Sequence, residues 1–178
     1  VHVLEAAVDR GEAHVGDLVD FVDEGDRGWI GYVADVSGHG VSAGLVMTTV
    51  KSAARAELRR GADLPTLLTT LNRTVLDAGK PNMFVTFAAV RCHTTGELEL
   101  TVAGHLPILH MAAHGGPLAE WSIPQMPLGI VEGYAFQSRR AAWAPGDLLA
   151  LVTDGLSEVF DRADREFGLD GIARLLEE

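Results

Sequence analysis

The sequence has 178 residues, 47% of them apolar, and a formal net charge of −11 from 14 Lys and Arg against 25 Asp and Glu. That length suits one domain with its own core, and the acidic balance argues against nucleic acid, whose binding needs Lys and Arg to neutralise phosphates. A single cysteine, Cys92, excludes an internal disulfide framework, and with no ~18-residue apolar run and no basic-then-apolar leader a cytoplasmic protein without a membrane segment is expected.

In chain order, Val1 to Val8 alternates weakly and reads as a strand. Asp17 to Asp23 carries Leu18, Val19, Phe21 and Val22 and reads as another. The cluster Glu24-Gly25-Asp26-Arg27-Gly28 is a turn, and Trp29 to Ala34 is the returning strand of a hairpin. The glycine-rich stretch Asp35-Val36-Ser37-Gly38-His39-Gly40 follows. Val41 to Arg60 has Leu45, Val46, Val50, Ala53, Ala54 and Leu58 at helical steps, with Gly61 to stop it. Leu64 to Ala78 is a second helix with Pro65 in its first turn. Strands are then expected at Phe84–Cys92, Leu98–Ala103, Ile108–Ala112, Tyr134–Ala142 and Leu148–Thr153, and a closing helix at Gly168–Glu178. Strands, two consecutive helices, strands and a helix suggest α+β layers rather than a regular βαβ winding.

Two strands end in the same way. Trp29, Gly31, Val33 and Asp35 share one strand face, and Leu148, Ala150, Val152 and Asp154 share another. Each final Asp stands beside glycine, which lets backbone approach a ligand. A carboxylate at the edge of a core needs compensation, and a hard divalent cation such as Mg²⁺ or Mn²⁺ supplies it. An Asp that caps a turn or helix fits the same pattern. In Gly16-Asp17-Leu18-Val19-Asp20 the two acids are three apart and face opposite ways on a strand. Unless a bulge intervenes only one can join a common site, and Asp17, beside Gly16, is the better candidate. His105, His110 and His114 lie within ten residues but lack zinc-motif spacing, so they read as structural. Cys92 falls inside a strand, no GxSxG elbow is present, and the 38–40 loop lacks the GKS or GKT ending of a phosphate-binding loop.

These residues resemble a known family. Asp35-Val36-Ser37-Gly38-His39-Gly40, with Ala43 and Met47 on the following helix, is similar to the DVSGHG motif of SpoIIE/RsbU-type phosphatases. These form the bacterial branch of the metal-dependent protein phosphatase (PPM, protein phosphatase 2C) superfamily. Gly16-Asp17-Leu18-Val19-Asp20 resembles the GGDxxD motif, with Val15 where glycine is usual. Ala103-Gly104-His105-Leu106-Pro107 resembles the AGHxP segment. Pro127-Leu128-Gly129, Pro145-Gly146-Asp147 and Thr153-Asp154-Gly155-Leu156-Ser157-Glu158 resemble the PLG and GD…TDGLxE segments.

The resemblance implies a four-layer αββα sandwich, two antiparallel sheets flanked by helices, as a single phosphatase domain over 1–178. It implies two Mn²⁺ or Mg²⁺ ions held by Asp17, Asp35, Asp154 and the backbone carbonyl of Val36. It implies hydrolysis of phosphoserine or phosphothreonine on a protein, with His39 as a possible proton donor to the leaving oxygen. The usual substrates are phosphorylated anti-sigma-factor antagonists of STAS type, and a sensor domain often precedes the phosphatase. Family members continue into a strand bearing a D[DN]xT-like motif, so a domain lacking its C-terminal strand is expected. The rival reading is a non-catalytic phosphoprotein-binding module on the same fold.

Overall fold

A computed structural model describes residues 17–78, 83–113, 115, 117–154 and 167–177. The expected first strand, Val1 to Val8, lies outside the described residues, as do His114 and Gly155 to Glu158. Eight strands are described: β1 (Asp17–Asp23), β2 (Gly28–Val36), β3 (Val85–His93), β4 (Leu98–Ala103), β5 (Ile108–Met111), β6 (Ala119–Trp121), β7 (Arg139–Ala141) and β8 (Leu148–Ala150). The helices are α1 (Val41–Arg60), α2 (Leu64–Ala78) and α3 (Gly168–Glu177). Five strands pair in the order β1-β2-β3-β4-β7 and three in the order β6-β5-β8, every neighbour antiparallel. Two antiparallel sheets with helices therefore agree with the expected fold class.

Period-two alternation gives the central sheet two buried faces. Ile30, Tyr32, Ala34, Val36, Val85, Phe87 and Ala89 pack towards the helices. From α1 this cluster receives Ala43, Val46, Met47, Val50, Ala54 and Leu58, and from α2 Leu64, Leu67, Leu68, Leu71 and Val75. Val33, Ala88, Val90, Leu98, Leu100 and Val102 point the other way and meet Ile108, Leu149 and Leu151 of the second sheet's side. Each fully buried leucine in these stripes contributes about 1.5–3 kcal/mol relative to exposure. Leu45, expected in the buried stripe of α1, is 65% exposed. At about 100° per residue it lies a quarter turn from Val46 and well off the line through Ala43, Met47 and Val50.

The α1–α2 turn is closed by Gly61, whose left-handed backbone (φ 85°) lets its N–H and that of Ala62 return to the carbonyls of Leu58 and Glu57. Asp63 then caps α2 by accepting from the Thr66 N–H at 2.8 Å.

Two expectations about strands are corrected and one strand is added. Of Tyr134–Ala142 only Arg139–Ala141 pairs, because Phe136 turns into the helix-side core and the Gln137 amide is held by Gln125. The short β6, flanked by glycine and proline, was not anticipated. Finally, β8 stops at Ala150 rather than Thr153. It pairs with β5 from Met111↔Leu148 to Leu109↔Ala150. Continued in that register the ladder would set Val152 against Pro107, which has no N–H to donate.

Candidate metal centre

The geometry starts from the β1–β2 register. Asp17 stands directly opposite Asp35, and Asp35 is in turn opposite Thr86 of β3. Cross-strand partners present their side chains on one face. The carboxylates of Asp17 and Asp35 are thus side by side, on the face away from the helices. Asp154 comes from a distant part of the chain, four residues beyond β8. One carboxylate oxygen from each of Asp17, Asp35 and Asp154 lies within 4.8 Å of the other two. The structure therefore brings together the three acids that the sequence singled out. Asp154 arrives there by a different route from the strand alternation expected, because Leu151 to Thr153 run outside β8.

The charge state of the cluster is informative. Burial pushes the Asp35 carboxyl up to about 7, and the carboxylates of Asp154 and Asp17 push in the same direction, against a hydrogen bond from the Val36 amide. Like charges at this spacing disfavour ionisation unless a cation is present. Three crowded hard-oxygen donors are the donor set that Mg²⁺ or Mn²⁺ takes, so the residues fit the expected ion. Val36 ends β2 beside this cluster.

Asp20 lies on the opposite face, as the three-residue spacing requires. It accepts from the Tyr32 hydroxyl at 2.6 Å and is gripped in bidentate fashion by Arg55 of α1, at 2.8 and 2.6 Å. Burial alone would raise its pKa; Arg55 and Tyr32 more than offset this and hold it below the usual carboxylate range. Asp20 ties β1 to α1 and does not belong to the acidic cluster.

The loop from Ser37 to Gly40 is fixed at its root. Ser37 N–H donates to the Phe84 carbonyl at 2.9 Å, and its hydroxyl accepts from the Phe84 N–H at 2.8 Å. His39 is exposed within this loop.

The histidines divide. His110 bonds Asp147 at 2.9 Å and stacks on Trp121, while Asp147 also receives the amides of Ala113 and Ala144. This set closes the turn before β8. The His110 contact and those amides hold the Asp147 carboxyl down at about 2. His105 instead sits beside the acidic cluster, between Thr86 at 2.7 Å and the Val152 carbonyl at 3.0 Å. Sequence reasoning read it as structural with His110 and His114, although the AGHxP-like segment holds His105 alone of the three. Its contact with Thr86, the residue opposite Asp35, is visible only once the β2–β3 register is known.

The comparisons agree with this architecture. The model of the family described as Stage II sporulation protein E (SpoIIE) matches residues 25–178. Phosphoserine phosphatase RsbU of Bacillus subtilis (strain 168) is 28% identical over 161 residues, 86% of this chain and 48% of its own length. The solved structure of the RsbU and RsbW domains of Rv1364c from Mycobacterium tuberculosis superposes with a TM-score of 0.79 at 28% identity, over 94% of this chain and 47% of that one. RsbX in complex with magnesium shares the fold, with a TM-score of 0.65 at 17% identity over 94% of this chain and 81% of its own. The chain spans about half the length of RsbU and of the mycobacterial protein.

Proposed function

This chain belongs to the SpoIIE family, and on that premise we propose that it hydrolyses phosphoserine or phosphothreonine on a protein, using divalent cations held by Asp17, Asp35 and Asp154. The observation that carries the proposal is the convergence of those three carboxylates within 4.8 Å. The similarity to a protein named phosphoserine phosphatase supports the substrate chemistry.

In this reading two Mn²⁺ or Mg²⁺ ions are bound, with the Val36 carbonyl as a further ligand. When bound, they supply charge neutralisation for phosphoryl oxygens and acidification of water. The chain's own contribution is placement. β1 and β2 hold Asp17 and Asp35 in fixed register, and the Ser37–Phe84 hydrogen bonds fix the start of the loop that presents His39. Water adds to phosphorus, the ester P–O bond breaks, and the seryl or threonyl oxygen takes up a proton. We assign delivery of that proton to the His39 imidazole, suited to transfer near neutral pH. No side chain becomes phosphorylated. We further propose a phosphorylated STAS-type anti-sigma-factor antagonist as substrate, a sensor domain elsewhere in the full protein, and a cytoplasmic location. No described helix is long and apolar enough to cross a membrane.

Phosphate release from a phosphoserine protein, with Mn²⁺ titrated in, tests the proposal. Activity that needs Mn²⁺, disappears with EDTA and falls on the order of 100-fold or more in Asp154→Ala is expected. Metal binding without turnover would identify a phosphoprotein-binding module instead.

A further inference from the structure

Asp154 is not held by a strand. β8 ends at Ala150, and the two residues just before Asp154 make hydrogen bonds to residues of the first sheet's side. Thr153 donates its hydroxyl to Asp17 at 3.0 Å. The Val152 carbonyl meets His105 Nε2 at 3.0 Å. A carbonyl only accepts, so Nε2 carries the proton. Burial lowers the His105 pKa and so favours the neutral ring, against the pull of the Val152 carbonyl and of the Asp154 and Asp17 carboxylates. With the proton on Nε2, Nδ1 of the neutral ring accepts from the Thr86 hydroxyl, 2.7 Å away, and the same hydroxyl lies 3.5 Å from the Asp35 carbonyl. Thr86 stands opposite Asp35 in the β2–β3 register. A neutral chain therefore runs from the strand beside one acid to the backbone two residues before another: Thr86 hydroxyl to His105 Nδ1, His105 Nε2–H to Val152 carbonyl.

We propose that Thr86 and His105 are positioning residues that hold Asp154 against Asp17 and Asp35, and so set the affinity of the centre for its cation. The assignment rests on the metal reading given above. Metal ligands rely on outer partners to orient them, and losing such a partner weakens metal binding by roughly 10–100-fold. Here the outer partner acts on the backbone two residues before the ligand rather than on its carboxylate. The carbonyl of Val152, deprived of a ladder by Pro107, has this imidazole as its donor.

Calorimetric titration of the intact protein with MnCl₂ tests the assignment, with phosphate release followed in parallel. Thr86→Val keeps the branched shape and removes the donor, whereas Thr86→Ser keeps the hydroxyl. His105→Leu removes both ring contacts, and if it fails to fold the Thr86 pair decides. The expected result is Mn²⁺ binding on the order of tenfold weaker in Thr86→Val and His105→Leu, near wild type in Thr86→Ser. The Mn²⁺ needed for half-maximal activity should rise in step, with KM for the phosphoprotein unchanged and kcat recovered at saturating metal. Wild-type affinity in Thr86→Val, or equal weakening in Thr86→Val and Thr86→Ser, overturns the assignment while Asp154→Ala still abolishes binding. A wild type that takes up no Mn²⁺ at all overturns the metal reading itself, and this assignment with it.

Discussion

Asp17 and Asp20 show how much three residues of spacing decide. On one strand they face opposite ways, and each meets a different chemistry: Asp17 joins Asp35 and Asp154, while Asp20 joins Arg55 and Tyr32. Their substitutions should separate accordingly. Asp20→Ala strands the Tyr32 hydroxyl in the core and should lower stability by about 2 kcal/mol, a modest figure because half-exposed Arg55 is recovered by water. Folded Asp20→Ala should keep Mn²⁺-dependent activity. Asp154→Ala should do the reverse, with denaturant melts and phosphate-release rates as the two readouts. Equal activity losses would show that both acids serve the centre. Asp35 adds a prediction about pH. Its carboxyl keeps a proton up to about pH 7 in the folded protein but releases it near 3.8, its ordinary value, when unfolded. Between those values the folded state binds more protons, so metal-free stability should fall as pH rises from about 4 to 7, by at most about 1.4 kcal/mol per unit. Asp35→Asn should lack that slope and overtake the metal-free wild type near neutral pH. Parallel melting curves for the two proteins in EDTA would contradict this. The positions of Asp17 and Asp20 were legible because alternation is local. The roles of Thr86 and His105 were not, since they depend on which strands lie side by side.

Among elements, the long central ones announce themselves. β2, β3, α1 and α2 appear within two residues of where apolar periodicity puts them, because each buries a continuous stripe or two faces. β6, β7 and β8 have three residues each, and too few alternations to read. Their extent is set by partners, as when Pro107 and Val152 end the β5–β8 ladder. Two segments recognisable as separate motifs in the sequence also turn out to touch. Gly104, in left-handed backbone (φ 65°), faces Pro127, and a Cβ built there would lie 2.4 Å from the proline ring. Leu128 then pairs with Val85 through two backbone hydrogen bonds, locking this loop onto β3. Gly104→Ala should therefore cost about 2–3 kcal/mol, from overpacking against a stiff ring added to an unfavourable φ. Gly96→Ala, a similar φ with open space around it, serves as the comparison and should cost about 1 kcal/mol. Equal denaturation midpoints for the two variants would remove the packing argument.

For the molecule as a whole, the layering explains why acids from distant parts of the chain meet. The central sheet spends one face on the helices and the other on the second sheet. At the β1–β2 edge the inter-sheet face runs out of apolar cover, and Asp17 and Asp35 occupy its end, with Asp154 arriving from the second sheet's side. α+β layers and two consecutive helices could be read from the order of elements; the two sheets, and the meeting of Asp154 with the other two acids, followed from the family resemblance and needed the fold for their geometry. The direct test is anomalous diffraction at the manganese edge from crystals of the protein grown with MnCl₂. Manganese peaks in contact with the carboxylates of Asp17, Asp35 and Asp154 are predicted. Peaks at His105 or His110 instead, or an acidic cluster that binds none at saturating Mn²⁺, would contradict the account.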